Sequence, residues 1–277
     1  MSRLRRRALV ALATSPAFER AVRAAPGGEA RAWRSARRYV AADPIATART
    51  LHAAGLHASV DLFGEREEPA AAPAVALRYV ELCARVADVP GAWVSLDLSH
   101  VAFDPGLLRE IAAAVPPGRR LQVGAEEAAV TDRVLAAVLA AHAAGLPVEA
   151  TLQANLRRSA ADAERLAAAG VPVRLVKGAY VERDALPWGG ATDAAYVALA
   201  HRLHAGGAGL ALATHDAPLR DRLLADLPDA RCELLLGVRP ADALALAAAG
   251  RDVRVYVPFG EQWFRYFMRR RAEAQGA

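Results

Sequence analysis

At 277 residues and 54% hydrophobic content, the chain can bury a large core, as one α/β barrel or as two ordinary domains. Its net charge of +5 arises from 35 basic residues set among 30 acidic ones. The arginines fall beside Asp or Glu on helix faces, without clustered aromatics or a reading motif, so nucleic acid is excluded as the expected partner. No stretch is long enough to cross a bilayer, and Cys83 and Cys232, in apolar surroundings without a CxxC partner, read as buried thiols of a reducing cytoplasm.

From the N-terminus, Met1 to Ala13 joins an arginine cluster to a short apolar run. The run is too short for a secretory leader, and Glu19, Arg20 and Arg23 follow at helical intervals. An amphipathic helix is expected, with at most peripheral membrane contact. Asp43-Pro44 predicts a helix start and Gly55 its end. From residue 57 a β-branched run followed by an Ala-rich helical segment repeats at roughly thirty-residue intervals, the span of a βαβ element. The strand candidates are His57 to Leu62, Ala92 to Leu98, Arg120 to Ala125, Pro147 to Leu152, Val171 to Lys177, Gly209 to Ala213, Arg231 to Leu236 and Val253 to Val257. They predict an α/β fold: a closed (β/α)8 TIM-like barrel over residues 57–277, preceded by an N-terminal helical region over 1–56. An open doubly wound sheet is the alternative; its GxGxxG turn is absent.

Alternation within the strands sorts their side chains. Outward positions must pack on apolar helices, so the polar phase (Ser95, Asp97 and Ser99; Glu149, Thr151 and Gln153; Arg254 and Tyr256) is expected to face the lumen. Polar residues near strand C-terminal ends are then site candidates, because barrel active sites are built on that face. Lys177 is the sole lysine among the 35 basic residues, which marks Arg174-Leu175-Val176-Lys177-Gly178-Ala179-Tyr180 as a place for chemistry. Phase sends Arg174 into the lumen and Lys177 toward the rim. The histidines offer no HxH at a strand end, and His201 with His204, one helical turn apart, reads as solvent-facing; no metal site is expected.

The stretch Arg174 to Tyr180 resembles the fifth-strand signature of the proline dehydrogenase family, FAD-dependent (β/α)8 barrels. Further matches follow in order: Asp61-Leu62-Phe63-Gly64-Glu65, Gln153-Ala154, Ala213-Thr214-His215, and Tyr256-Val257-Pro258-Phe259-Gly260 followed by Trp263, Tyr266, Arg269-Arg270 and Glu273. The resemblance runs from about residue 40 to the C-terminus and identifies a diverged member. It implies an FAD whose N5 edge meets Arg174 and whose pyrimidine side meets Gln153. Val176, Lys177, Gly178, Ala179, Thr214 and His215 would make further cofactor contacts, and Glu273 would help close the site. It also implies a substrate carboxylate clamped by Arg269 and Arg270, with Tyr256 packed on the substrate; paired guanidinium donors suit a carboxylate.

Three departures accompany the resemblance. Asp97 stands where the family has Lys on the second strand, Gly124 where it has Asp on the third, and Asn155 where it has Tyr after Gln-Ala. The family's ion pair is lost, so Asp97 is expected to be protonated, to pair with Arg174, Arg269 or Arg270, or to receive a cationic substrate group. The expected function is an FAD-dependent oxidoreductase acting on a small carboxylate-bearing amine other than proline: an amino acid, imino acid or related C–N or N–N compound. Asp97 would serve as base or anchor, and oxygen or a quinone as electron acceptor. A Schiff-base enzyme using Lys177 and a non-catalytic flavin- or metabolite-binding descendant are the alternatives.

Overall fold

The computed structural model describes residues 15–64, 67–178 and 182–274. Eight parallel strands close into a barrel in sequence order: β1 (His57–Leu62), β2 (Ala92–Leu96), β3 (Leu121–Val123), β4 (Val148–Gln153), β5 (Val173–Val176), β6 (Leu210–Ala213), β7 (Arg231–Leu235) and β8 (Val253–Phe259). Each predicted strand is present, and the β1–β8 register, with Ser59 beside Tyr256, seals the cylinder. The second strand is shorter than predicted. It stops at Leu96, and Asp97 begins a 3-10 turn over Leu98–Val101 that carries Ser99 out of the strand phase. Its main-chain N–H instead donates to Glu126 Oε1 at 3.0 Å.

Three helices precede the barrel: α1 (Pro16–Ala24), α2 (Gly28–Ala36) and α3 (Pro44–Ala53). The predicted start of α3 is borne out: Asp43 Oδ1 accepts from the N–H groups of Ile45 and Ala46 at 3.0 and 3.1 Å, and Pro44 occupies a first-turn position that lacks an intrahelical donor anyway. The part of the N-terminal helix expected over residues 1–14 lies outside the described residues. The outer ring comprises α4 (Ala72–Val86), α5 (Pro105–Ala113), α6 (Thr131–Ala143), α7 (Ser159–Ala168), α8 (Gly190–Ala205), α9 (Ala217–Asp226), α10 (Pro240–Ala248) and α11 (Trp263–Ala274). None of the described helices is long and apolar enough to cross a membrane.

Outward strand residues such as Val60, Val94, Leu152, Leu175, Leu212 and Val257 are buried under these helices. Each such side chain contributes about 1.5–3 kcal/mol relative to exposure. Two buried tyrosines fasten helices to strands: Tyr79 on α4 donates to Leu62 O, and Tyr196 on α8 to Leu175 O, both at 3.0 Å. A second core joins α1 and α2 to α11 through Ala36, Val40, Trp263, Phe264, Tyr266 and Phe267, with Phe18 and Trp33 packed against it. The N-terminal helices thereby buttress the last helix, which bears Arg269 and Arg270.

Polar residues fill the lumen, as the alternation predicts, but its N-terminal half is a packed plug. Arg254 lies 3.5 Å from the ring centre of Trp93, and its Nη1 donates to Ala58 O and Gly91 O, each at 2.7 Å. Arg231 pairs with Glu149 at 2.7 Å and Glu233 at 2.9 Å, and Gln122 donates to both carboxylates. Buried charges persist where they are paired and hydrogen-bonded, as Arg231 is with Glu149 and Glu233.

Candidate active site

The strand C-termini frame a mouth of different character. Arg174, at the centre of β5, points inward as predicted and donates from Nε to Glu233 Oε2 at 2.8 Å. That anchor ties the guanidinium to the plug while its charge acts on Asp97 and Asp61 above. Asp97 leaves β2 toward β3, where Gly124 N donates to Leu96 O at 2.9 Å. A Cβ built on Gly124 would lie 1.8 Å from Asp97 Oδ1, so the carboxylate occupies the space that any larger residue at 124 would claim. Asp97 and Gly124 therefore form one arrangement: an acid at the end of β2 takes the space beside β3 that glycine leaves open.

Burial raises the Asp97 carboxyl to about 6, against the opposing pull of Arg174 and Arg269. Of the fates expected for this acid, the structure shows attraction to these two arginines without a direct salt bridge to either among the described contacts. Asp61, on β1, accepts a hydrogen bond from the Tyr256 hydroxyl. Burial and the Asp97 charge push its carboxyl well above the usual range. Burial and the same two acids push the Tyr256 phenol up as well, so it stays a donor. Glu126 is raised by burial and by Asp97.

Helix α11 lies across this mouth. The Arg269 charge acts on Asp97 at the β2 end and the Arg270 charge on His215 at the β6 end, while the Arg270 guanidinium sits 5.1 Å from the Tyr266 ring. Tyr256 meets the same helix with its ring 6.2 Å from that of Tyr266.

On the β4–β6 side, Gln153 is buried and donates from Nε2 to Glu126 O at 2.8 Å. Val176 is partly exposed at the end of β5, and Gly178 follows with φ +116. A Cβ there would strike Asn155 Oδ1 at 2.0 Å, so backbone and amide meet as only glycine allows. His215 Nε2 accepts from Leu235 N at 3.0 Å, which places the ring hydrogen on Nδ1; that buried atom has no partner among the described residues. Burial and Arg270 lower the imidazole to about 4, so it is neutral at ordinary pH. The Thr214 hydroxyl accepts from Asp216 N at 3.2 Å. Ala179 and the Glu273 side chain lie outside the described residues.

Lys177 turns to the rim as its phase predicts. Its ammonium sits 2.6 Å from Asp193 and 2.7 Å from Asp216, contacts that outweigh burial and raise its proton affinity. A Schiff-base amine needs the opposite shift, so the geometry opposes that alternative. Sequence reasoning passed over Asp61 and Glu126, although Asp61 opens the first-strand match and shares the polar phase of β1, and Glu126 lies two residues beyond Gly124.

The chain matches the family model for proline dehydrogenase over residues 45–277. Proline dehydrogenase 1 of Bacillus subtilis (strain 168) is 30% identical over 263 residues, 86% of each chain. The proline dehydrogenase of Deinococcus radiodurans is 30% identical over 305 aligned residues, 99% of this chain and 95% of that one. Among solved structures, proline utilization A (PutA) from Bdellovibrio bacteriovorus, inactivated by N-propargylglycine, matches with a TM-score of 0.80 at 18% identity. That match covers 96% of this chain but 36% of the PutA chain, and it bears on the fold alone.

Proposed function

Because the chain belongs to the proline dehydrogenase family, we propose that this oxidoreductase uses FAD to oxidise a small amino acid, imino acid or related C–N or N–N compound other than proline. The observation that carries the reading is the seam between Asp97 and Gly124. A family ion pair neutralises itself; here a carboxyl faces the mouth without a resident ammonium, and its charge complements a substrate nitrogen.

The β4–β6 rim fits the cofactor. His215 Nδ1–H is a buried donor and Asn155 Oδ1 a buried acceptor without partners among the described residues, and Gly178 lets backbone approach closely. Gln153, Arg174, Val176, Lys177, Gly178, Thr214 and His215 would hold it, with Ala179 and Glu273 as the resemblance implies. When bound, the flavin supplies a hydride acceptor.

The chain's own residues do the rest. Arg269 and Arg270 receive the substrate carboxylate, fixing its position by charge and paired donors. Tyr256, its hydroxyl held by Asp61, presents its ring as a wall for the substrate body. Asp97 anchors the substrate ammonium and takes its proton; an acid near pKa 6 is ionised at pH 7 and still binds a proton usefully. Arg174 presents its guanidinium to the mouth, tethered from below by Glu233.

The test is anaerobic mixing of the flavin-loaded protein with a panel of cyclic and acyclic amino acids and hydrazines, following flavin bleaching. A substrate other than L-proline should give the highest kcat/KM, Asp97→Asn should abolish bleaching while flavin stays bound, and the double variant D97K/G124D should gain proline turnover. Fastest reduction by L-proline in the unaltered protein sinks the substrate reading, and failure to take up FAD sinks the whole.

A further inference from the structure

Asp97 stands at the head of a turn that it does not cap. Elsewhere in the chain an aspartate so placed binds the main chain ahead of it: Asp43 accepts from Ile45 N and Ala46 N, Asp104 from Gly106 N and Leu107 N, and Asp216 from Leu219 N. Asp97 has the same extended backbone before Leu98–Val101, with φ −86 and ψ 126, yet its carboxylate accepts no capping hydrogen bond from that turn. It lies against Gly124 instead. An aspartate in this position ordinarily takes the N–H two or three residues on, so its absence from the cap has to have a cause.

The cause is on the neighbouring strand. Glu126, 5% exposed beyond the end of β3, accepts from Ser99 N through Oε1 at 3.0 Å, and Ser99 N is the donor two residues on from Asp97. The donor three residues on, His100 N, closes the turn on Asp97 O at 3.0 Å. Glu126 is itself fixed, because its carbonyl accepts from Gln153 Nε2 at 2.8 Å and the bond from Gly124 N to Leu96 O holds the two strand ends together. We infer that Glu126 is a positioning residue: it caps the turn in place of Asp97, and so leaves the Asp97 carboxylate free to serve the mouth.

The catalytic value of this arrangement rests on the amine oxidation proposed above; the cap itself does not. Without an acceptor at position 126, the Asp97 side chain would turn onto Ser99 N, as the other three aspartates turn onto their own helices. A main-chain N–H stabilises the ionised form of a carboxyl, so the Asp97 proton affinity would fall from its value near 6 as the acid left the mouth. Arg174 on β5, Arg269 on α11, Glu127 after β3 and Asp61 on β1 are the other charged groups that act on or answer to Asp97, and none of them is altered by a change at Glu126. Because Gln153 binds the main-chain oxygen of Glu126 and not its side chain, the cofactor side of the site is also left in place.

Two substitutions separate acceptor from charge. Glu126→Ala and Glu126→Gln both remove the carboxylate, but glutamine keeps an oxygen for Ser99 N. In flavin-loaded enzyme, Glu126→Ala should lower kcat/KM by about 100-fold with flavin affinity unchanged, while Glu126→Gln should stay within about fivefold of the unaltered enzyme. In cofactor-free protein, carbon-13 NMR should find the Asp97 carboxyl titrating clearly lower in Glu126→Ala than in Glu126→Gln, and a crystal structure of Glu126→Ala should show Asp97 bonded to Ser99 N at about 3 Å. An Asp97 that stays against Gly124 in Glu126→Ala, or a glutamine variant as impaired as the alanine one, overturns the proposal. Should Glu126→Ala not fold, Asp97→Asn decides: the Ser99 amide proton should keep its hydrogen-bonded chemical shift, and its loss would make Asp97 the cap and refute the role of Glu126. If no amine reduces the unaltered enzyme, the oxidation reading fails separately, and the NMR and crystal structure still decide who caps the turn.

Discussion

Replacing Asp97 with Asn should make the protein more stable at neutral pH while removing its chemistry. In the folded state burial holds the Asp97 carboxyl near 6, against an ordinary value of 3.8. A rise of about two units corresponds to roughly 3 kcal/mol, or about 2 kcal/mol once the carboxylate's partial exposure is allowed for. The sign follows from proton binding: the native carboxyl binds its proton more tightly than the unfolded one, so stability falls as pH rises from about 4 through 6. Below pH 4 both states are protonated and the penalty vanishes. Urea unfolding at pH 4, 5, 6 and 7.5 should therefore show Asp97→Asn about 2 kcal/mol more stable than the unaltered protein at pH 7.5, with the two converging at pH 4. The substitution also removes the charge that raises Asp61, which adds in the same direction. A variant that is less stable at pH 7.5, or a gap that persists unchanged at pH 4, refutes the picture of a desolvated acid held at the mouth.

Gly124→Ala should lower kcat/KM by about 100-fold, because the new Cβ arrives 1.8 Å from Asp97 Oδ1 and displaces the carboxylate by more than 1 Å. Gly124 is not in the left-handed region, so thermal melting should change little, and kinetics within twofold of the unaltered enzyme would count against the seam. In the unaltered enzyme, kcat/KM should fall as pH drops through about 6, when Asp97 takes up its proton, and a profile flat between pH 5 and 8 would refute Asp97 as the base. Glu233→Gln strips a partner from Arg174 and Arg231 and should cost about 3–5 kcal/mol in urea at pH 7. The three arginines around Glu233 overcome burial and hold its carboxyl below the ordinary value, so that loss should shrink as acid protonates it. Lys177→Met leaves Asp193 and Asp216 facing each other and should cost about 1–3 kcal/mol at neutral pH, while borohydride with carbonyl compounds should leave no adduct on the unaltered Lys177.

The barrel was legible because period and phase are local properties of the chain. A β-branched run of alternating polarity recurring every thirty residues predicts eight strands, and the same alternation separates Arg174 from Lys177 correctly. It does not report depth along the lumen. Glu149 and Arg254 share the polar phase with Gln153 and Tyr256, yet the first two belong to the plug and the last two to the mouth. Nor does a strand pattern tell where a strand stops, so Ser99 reads as a lumen residue although the turn at Asp97 carries it elsewhere. Asp97 and Gly124 stand 27 positions apart in the sequence, and their meeting is a product of the β2–β3 pairing. Tyr79 looks like any core aromatic on an apolar helix face, and only the closed barrel brings its hydroxyl to Leu62 O and His100.

The helix that bears Arg269 and Arg270 takes its footing from α1 and α2, where Trp33 meets Trp263 edge-on at 5.0 Å and Phe18 lies 6.3 Å from Phe264. A ligand's grip at the barrel opening is therefore set partly by aromatic packing outside the cylinder. Drift in those outer aromatics can tilt the bar that carries both guanidinium groups while every strand end stays as it was, which gives an ancestral scaffold a way to readmit or turn away ligands without touching its chemistry.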